Sequence, residues 1–122
     1  MDENASSRLD VVEVLFKRTL DAVHGALVSY YFLSEEEALD AERELEVWFQ
    51  RLTRRNGASQ MSARVLRLSL LAAACQYGRS FQVWKLAGEP STDHRLNEIL
   101  AREPQEIAND LERSLEGEPR QE

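Results

Sequence analysis

The side chains best suited to chemistry in this sequence are two histidines, one cysteine and a run of three glutamates. His24 and His94 have no cysteine or carboxylate pair at the spacing of a metal site. Cys75 lies in an apolar stretch, where a thiol is inert. Glu35–Glu37 are consecutive, so on a helix their carboxylates point in different directions and form no acid–base pair. A glycine-rich phosphate loop is also missing. The sequence therefore predicts a protein without catalysis, metal ligands or cofactor.

The composition is that of a folded and heavily charged domain of 122 residues. With 43% hydrophobic residues the chain can bury one core, and its net charge of −7 argues against bulk affinity for nucleic acid. A single cysteine excludes an intrachain disulfide and suits a reducing compartment. The polar start resembles no signal peptide, and the longest apolar run, residues 70–75, is too short to span a membrane. We therefore expect one cytoplasmic domain.

The charges fall into three blocks. Residues 1–46 carry 12 acidic and 4 basic side chains, residues 47–88 carry seven basic and no acidic ones, and residues 89–122 carry 10 acidic and 4 basic. The central block can bind phosphates, with Tyr77 and Trp84 lying among its cations. Alternatively, its arginines pair with acidic neighbours and its aromatic residues belong to the core. The sequence leaves both explanations open.

The elements that must position these side chains are helices. Apolar residues at intervals of three and four predict helices over 8–32, 35–55 and 62–86. Ser34 and Glu37 form a capping-box pattern at the start of the second helix. Gly25 indicates a bend or a close helix crossing in the first.

Two shorter helices follow the third one. Thr92 or Asp93 can cap the fourth helix, and Pro104 suits the first turn of the fifth. The predicted fold is an all-α, single-domain bundle of about five helices, in which three long helices form the core. Its predicted parts are a flexible N-terminus (1–7), a three-helix core (8–88), short C-terminal helices (89–116) and a tail (117–122).

The segment DAERELEVWFQRLTRR, residues 40–55, begins acidic, is aromatic in the middle and ends basic. It resembles the second conserved region of bacterial RNA polymerase sigma factors of the extracytoplasmic-function type. HGALVSYYFLSEEEALDAE before it and SARVLRLSLLAAACQYGRS after it are similar to the first and third helices of that region. The resemblance covers residues 9–86. The chain differs in having Glu46-Val47 where the family usually has Gln-Glu. Residues 89–122 are too short and acidic for the helix-turn-helix domain that such factors also carry.

The resemblance implies a protein that acts in transcription by binding. Its partner would be core RNA polymerase or another transcription protein, bound through Asp40, Glu42, Glu46 and Phe49. DNA would be a second partner of residues 51–85, bound through Arg64, Arg67, Tyr77, Arg79, Trp84 and Lys85. Neither a cofactor nor a membrane is implied.

Two other functions agree with the same residues. The chain can be a self-associating bundle, a homodimer in the simplest case, with an apolar seam from Leu96 to Leu115. It can also be a regulator that copies the sigma surface without binding DNA. The gradient of residues 40–55 has a simpler explanation as well, because acidic residues favour the N-terminus of any helix and basic residues its C-terminus.

Overall fold

The computed structural model of the protein describes residues 2–56 and 62–117, which form five α-helices and no strand. The helices are α1 (Asp2–Gly25), α2 (Glu35–Asn56), α3 (Ala63–Leu86), α4 (His94–Ala101) and α5 (Pro104–Gly117). This confirms the predicted all-α bundle. α1 begins at Asp2 rather than near residue 8, because residues 2–7 contain neither proline nor glycine to stop a helix. The predicted tail, apart from Gly117, lies outside the described residues.

Local capping explains where three of the helices begin. The Ser34 N–H donates to Glu37 Oε1 at 2.8 Å, and the Glu37 N–H donates to Ser34 Oγ at 3.1 Å, which confirms the capping box. Ser62 Oγ accepts from the Val65 N–H at 3.1 Å at the start of α3. Asp93, rather than Thr92, caps α4. The few residues around each cap are therefore enough to predict where these helices begin.

The end of α1 is irregular. After Gly25 the chain makes one π-helical turn, Ala26–Tyr30. The Tyr31 N–H donates to the Ala26 carbonyl oxygen at 3.1 Å, five residues back, and Phe32 then takes a φ of 61°. Nothing lies within 4 Å of where a Cβ on Gly25 would be. The predicted close crossing is therefore not at Gly25, although the regular helix does end there.

α3 comes close to the end of α1 at Gly78. A Cβ at this position would lie 2.6 Å from Cγ of Tyr31, which is fully buried. One turn further along, the Gln82 amide donates to the carbonyl oxygens of Tyr31 at 2.8 Å and Phe32 at 3.4 Å. α3 thus packs directly on the end of α1 and satisfies two carbonyls that the helix leaves without partners.

The core lies where α3 meets α1, α2 and α5. α3 contributes the largest buried set among the described residues: Leu66, Leu70, Leu71, Ala74, Cys75, Gly78 and Gln82. α5 adds the fully buried Ile107 and Ala108, and Leu96 of α4 is buried too. Leu111 and Leu115 pack against the same core. The seam predicted for a second copy is therefore used within the chain.

Candidate functional site

The four residues predicted to bind polymerase lie in different environments. Asp40 and Glu46 are exposed on α2, and Asp40 forms a surface ion pair with Arg43 at 3.2 Å. Phe49 is 1% exposed and packs on Phe16, with 5.8 Å between ring centroids. The prediction that Phe49 contacts a partner is wrong, because its position on α2 belongs to the buried face of the helix. Only Asp40 and Glu46 are open to contact.

Glu42, the fourth of these residues, is bound by His24 of α1. His24 Nδ1 lies 2.6 Å from Glu42 Oε2, and its Nε2 lies 3.0 Å from Glu35 Oε1. The hydrogen bond with Glu42 and the charges of the two carboxylates raise the pKa of His24, while burial opposes this. The Glu42 side chain is only 11% exposed. It therefore stabilises the contact between α1 and α2 instead of offering a charge to a partner.

Three of the six residues predicted to bind DNA face α4 and α5. Arg67 Nη2 donates to Glu112 Oε2 at 2.5 Å, and Arg64 Nε lies 3.6 Å from Glu112 Oε1. The Glu112 side chain is 3% exposed, so this is a largely buried carboxylate held by two arginines. Arg79 donates from Nε to the carbonyl oxygen of Leu100 at 3.3 Å. These arginines contribute to the packing of α4 and α5 on α3.

The other three residues, Tyr77, Trp84 and Lys85, lie on the side of α3 that faces α2. Together with Phe81, which lies between them on the helix, Tyr77 and Trp84 form what we call the aromatic row. The rings of Tyr77 and Phe81 are stacked with centroids 6.4 Å apart, and those of Phe81 and Trp84 are 6.0 Å apart. Lys85 Nζ lies 5.6 Å from the Phe81 ring centroid and 3.4 Å from Glu37 Oε2. Trp84 is 76% exposed, the most exposed large hydrophobic side chain among the described residues.

Carboxylates of α2 stand beside the aromatic row. Burial of the Tyr77 phenol and the negative charges of Glu44, Asp40 and Glu37 raise the pKa of Tyr77. A phosphate approaching these rings would be repelled by the same charges. The six predicted DNA contacts thus form no single basic surface, and the pairing of Arg67, Arg64 and Lys85 with carboxylates agrees with the alternative explanation of the central block.

Exposed hydrophobic side chains concentrate on α2 and α3. Of the eight large ones that are exposed in the described part of the chain, six belong to these two helices: Leu39, Val47, Trp48, Val65, Val83 and Trp84. An open groove of about 580 Å³ runs along α3 between Trp48 and the start of α5. Its apolar floor consists of Val65, Leu68, Ala72 and Ala73. We call this the α3 groove. Exposed apolar patches that are contiguous mark protein interaction sites, and this groove, with Trp48 at its edge, is such a patch.

Of the side chains suited to chemistry, His24 lies against Glu35 and Glu42 in the contact between α1 and α2. Within residues 2–56 and 62–117, no group of three or more His, Cys, Asp or Glu is placed to hold a metal ion. Burial raises the pKa of the Cys75 thiol to about 11, so it stays protonated. His94 is exposed at the start of α4. None of the helices, as far as they are described, has the length and hydropathy needed to cross a membrane.

Comparison with known proteins adds no relative. The chain matches no family model, no curated protein and no solved structure.

Proposed function

We propose that this protein is a non-catalytic helical module that binds a protein partner through the exposed side of α2 and α3. The observation that carries this proposal is the concentration of exposed hydrophobic side chains on these two helices. Burial of apolar surface is the main favourable term in protein association, at roughly 25 cal/mol per Å². The apolar residues of α4 and α5 are already committed to the core.

The partner that the sequence resemblance supports is core RNA polymerase. Asp40 and Glu46 are the two predicted contact residues that remain exposed on α2. Glu42 and Phe49 belong to the fold and not to this contact. The proposal is therefore a polymerase contact through two acidic side chains, with the neighbouring hydrophobic side chains completing the interface.

Capture of purified bacterial core RNA polymerase on the immobilised protein tests this contact. We expect the double variant Asp40→Lys/Glu46→Lys to lose at least ten-fold in affinity. The control Glu89→Lys/Glu98→Lys changes net charge equally at exposed positions outside α2 and α3, and should bind like the wild type. Thermal unfolding should change little, because exposed charges contribute at most about 1 kcal/mol to folding. Failure of the wild type to bind polymerase would exclude this partner.

Self-association is the second candidate, and the α3 groove with Trp48 on its edge favours it. Sedimentation of the protein over a range of concentrations tests it. Val65→Glu places a charge in the groove. The control Val14→Glu places the same charge on α1, outside the groove, at a position of nearly equal exposure: Val65 is 47% exposed and Val14 is 46% exposed. We expect Val65→Glu alone to weaken a dimer. A wild type that is monomeric at every concentration would exclude self-association.

A further inference from the structure

We propose that the aromatic row, together with Asp40 and Glu44, binds a basic segment of a protein partner, one that presents arginine or lysine side chains. This inference rests on the proposed protein-binding function and names the chemistry that the partner must have. It concerns the end of α3 near Trp84, whereas the α3 groove lies at the other end of the helix.

The aromatic row offers ring faces to a cation. Trp84 is the ring type that attracts cations most strongly, and it is 76% exposed. A cation already occupies the middle of the row, because Lys85 Nζ lies 5.6 Å from the Phe81 ring centroid. The rings of Tyr77 and Trp84 lie on either side of Phe81. A second cation supplied by a partner would extend an arrangement that the chain already contains.

The negative charge beside the aromatic row also favours a cationic ligand. Residues 35–46 contain seven acidic side chains and a single basic one, Arg43, a balance of −6. Glu44 is exposed and forms no ion pair with any residue in the described ranges. Among the described side chains, Asp40 pairs with Arg43, and because both side chains of this pair are exposed, a partner's cation can replace Arg43 at little cost. The row therefore has carboxylates available for a guanidinium or ammonium group.

The length of the row limits the partner's sequence. Tyr77 and Trp84 are separated by seven residues of helix, about 10 Å at 1.5 Å per residue. An extended peptide covers that distance with about three residues. Two basic side chains that are two or three positions apart in the partner's sequence can thus reach Tyr77 and Trp84 at the same time. A nucleic acid could stack on the same rings, but its phosphates would face Glu37, Asp40 and Glu44, so the observations favour a basic peptide.

Fluorescence titration of the full chain with synthetic peptides tests the proposal. The probe is a glycine–serine peptide with two arginines three positions apart, and the controls are the same peptide with glutamines in their place and an oligothymidylate of similar length. We expect the arginine peptide to bind at least ten-fold more tightly than either control, and its affinity to fall with added salt. Equal binding of the glutamine peptide, or tighter binding of the oligonucleotide, would overturn the proposal.

Variants locate the site. Glu44→Gln and Trp84→Ala should each weaken binding of the arginine peptide at least five-fold, whereas Glu98→Gln and Val14→Ala, both at exposed positions outside α2 and α3, should not. Binding by Trp84→Ala is followed by competition with a labelled peptide, because that variant loses its reporter. Thermal unfolding of each variant establishes that it is folded. Unchanged affinity in folded Glu44→Gln would overturn the proposal.

The two proposals fail in different ways. If the arginine peptide does not bind but polymerase capture or dimerisation is observed, the protein-binding function stands and the basic ligand is wrong. If none of the three is observed, both are wrong.

Discussion

Two glycines, Gly25 in α1 and Gly78 in α3, allow a sharp test of the packing between these helices. Gly25 has right-handed helical dihedral angles, φ −59° and ψ −42°, and open space where a Cβ would lie. Alanine is favoured over glycine in a helix by about 1 kcal/mol, so Gly25→Ala should raise the free energy of unfolding by up to that amount. Gly78→Ala gains the same helix propensity, but its new methyl group would lie against the side chain of Tyr31.

The size of the second effect follows from the atoms that a Cβ on Gly78 would meet. Cγ, Cδ2 and Cβ of Tyr31 would lie 2.6, 2.8 and 2.9 Å away, and the Tyr31 side chain is fully buried. Overpacking typically costs about 1–3 kcal/mol, and contact with atoms so near the main chain places this case at the upper end. Less the propensity gain, Gly78→Ala should lower the free energy of unfolding by about 2 kcal/mol.

Urea denaturation followed by far-ultraviolet circular dichroism measures both variants under one condition. The two should differ by about 3 kcal/mol, with opposite signs relative to the wild type. If Gly78→Ala were as stable as Gly25→Ala, Tyr31 would not pack on α3 as described.

Three further measurements address single side chains. The pKa of His24 is raised above 6.5 in the folded protein, so its contribution to stability is complete below that pH and is lost as pH rises through the folded value. Urea midpoints from about pH 5 to 8 should show this dependence, and Glu42→Gln should weaken it, with Glu35 left as the only carboxylate of the pair. Glu112→Gln should reduce the free energy of unfolding by about 1–3 kcal/mol, because Arg67 loses a buried charged acceptor; an unchanged urea midpoint would contradict that role. Cys75, with its pKa raised to about 11, should react with iodoacetamide only after unfolding, and rapid labelling of the native protein, seen by mass spectrometry, would show that it is accessible.

Helix starts could be predicted because the signals that set them are local. Ser34, Asp93 and Pro104 each act on backbone groups a few residues away, and each begins a helix where the sequence indicates. The two glycines show the opposite case. Both stand in helical sequence, but only the tertiary packing of Tyr31 decides that Gly78 and not Gly25 is the point of close approach.

The candidate surface was harder to predict, because exposure depends on which helices cover which faces. Phe49 and Trp84 are both aromatic residues at helical spacing, yet one is 1% and the other 76% exposed. Periodicity predicts the direction in which a side chain points from its own helix, but it does not predict whether another helix covers that side chain. In the same way, the charge of the central block was evident, but Arg67 and its acceptor Glu112 are 45 residues apart in the sequence.

The π-helical turn at the end of α1 bears on how the length of this helix can change. Val23 and Tyr31 are eight residues apart, which on a regular α-helix would place them about 80° apart around the axis. Both are nevertheless fully buried. The turn Ala26–Tyr30 accommodates one extra residue, so the two side chains stand as if seven residues, close to two full turns, separated them. Deletion of one residue from this turn would leave a regular α-helix with Val23 and Tyr31 still in phase. An insertion there would need a second irregular turn. The first helix can therefore shorten by one residue at this place while the core on both sides keeps its register.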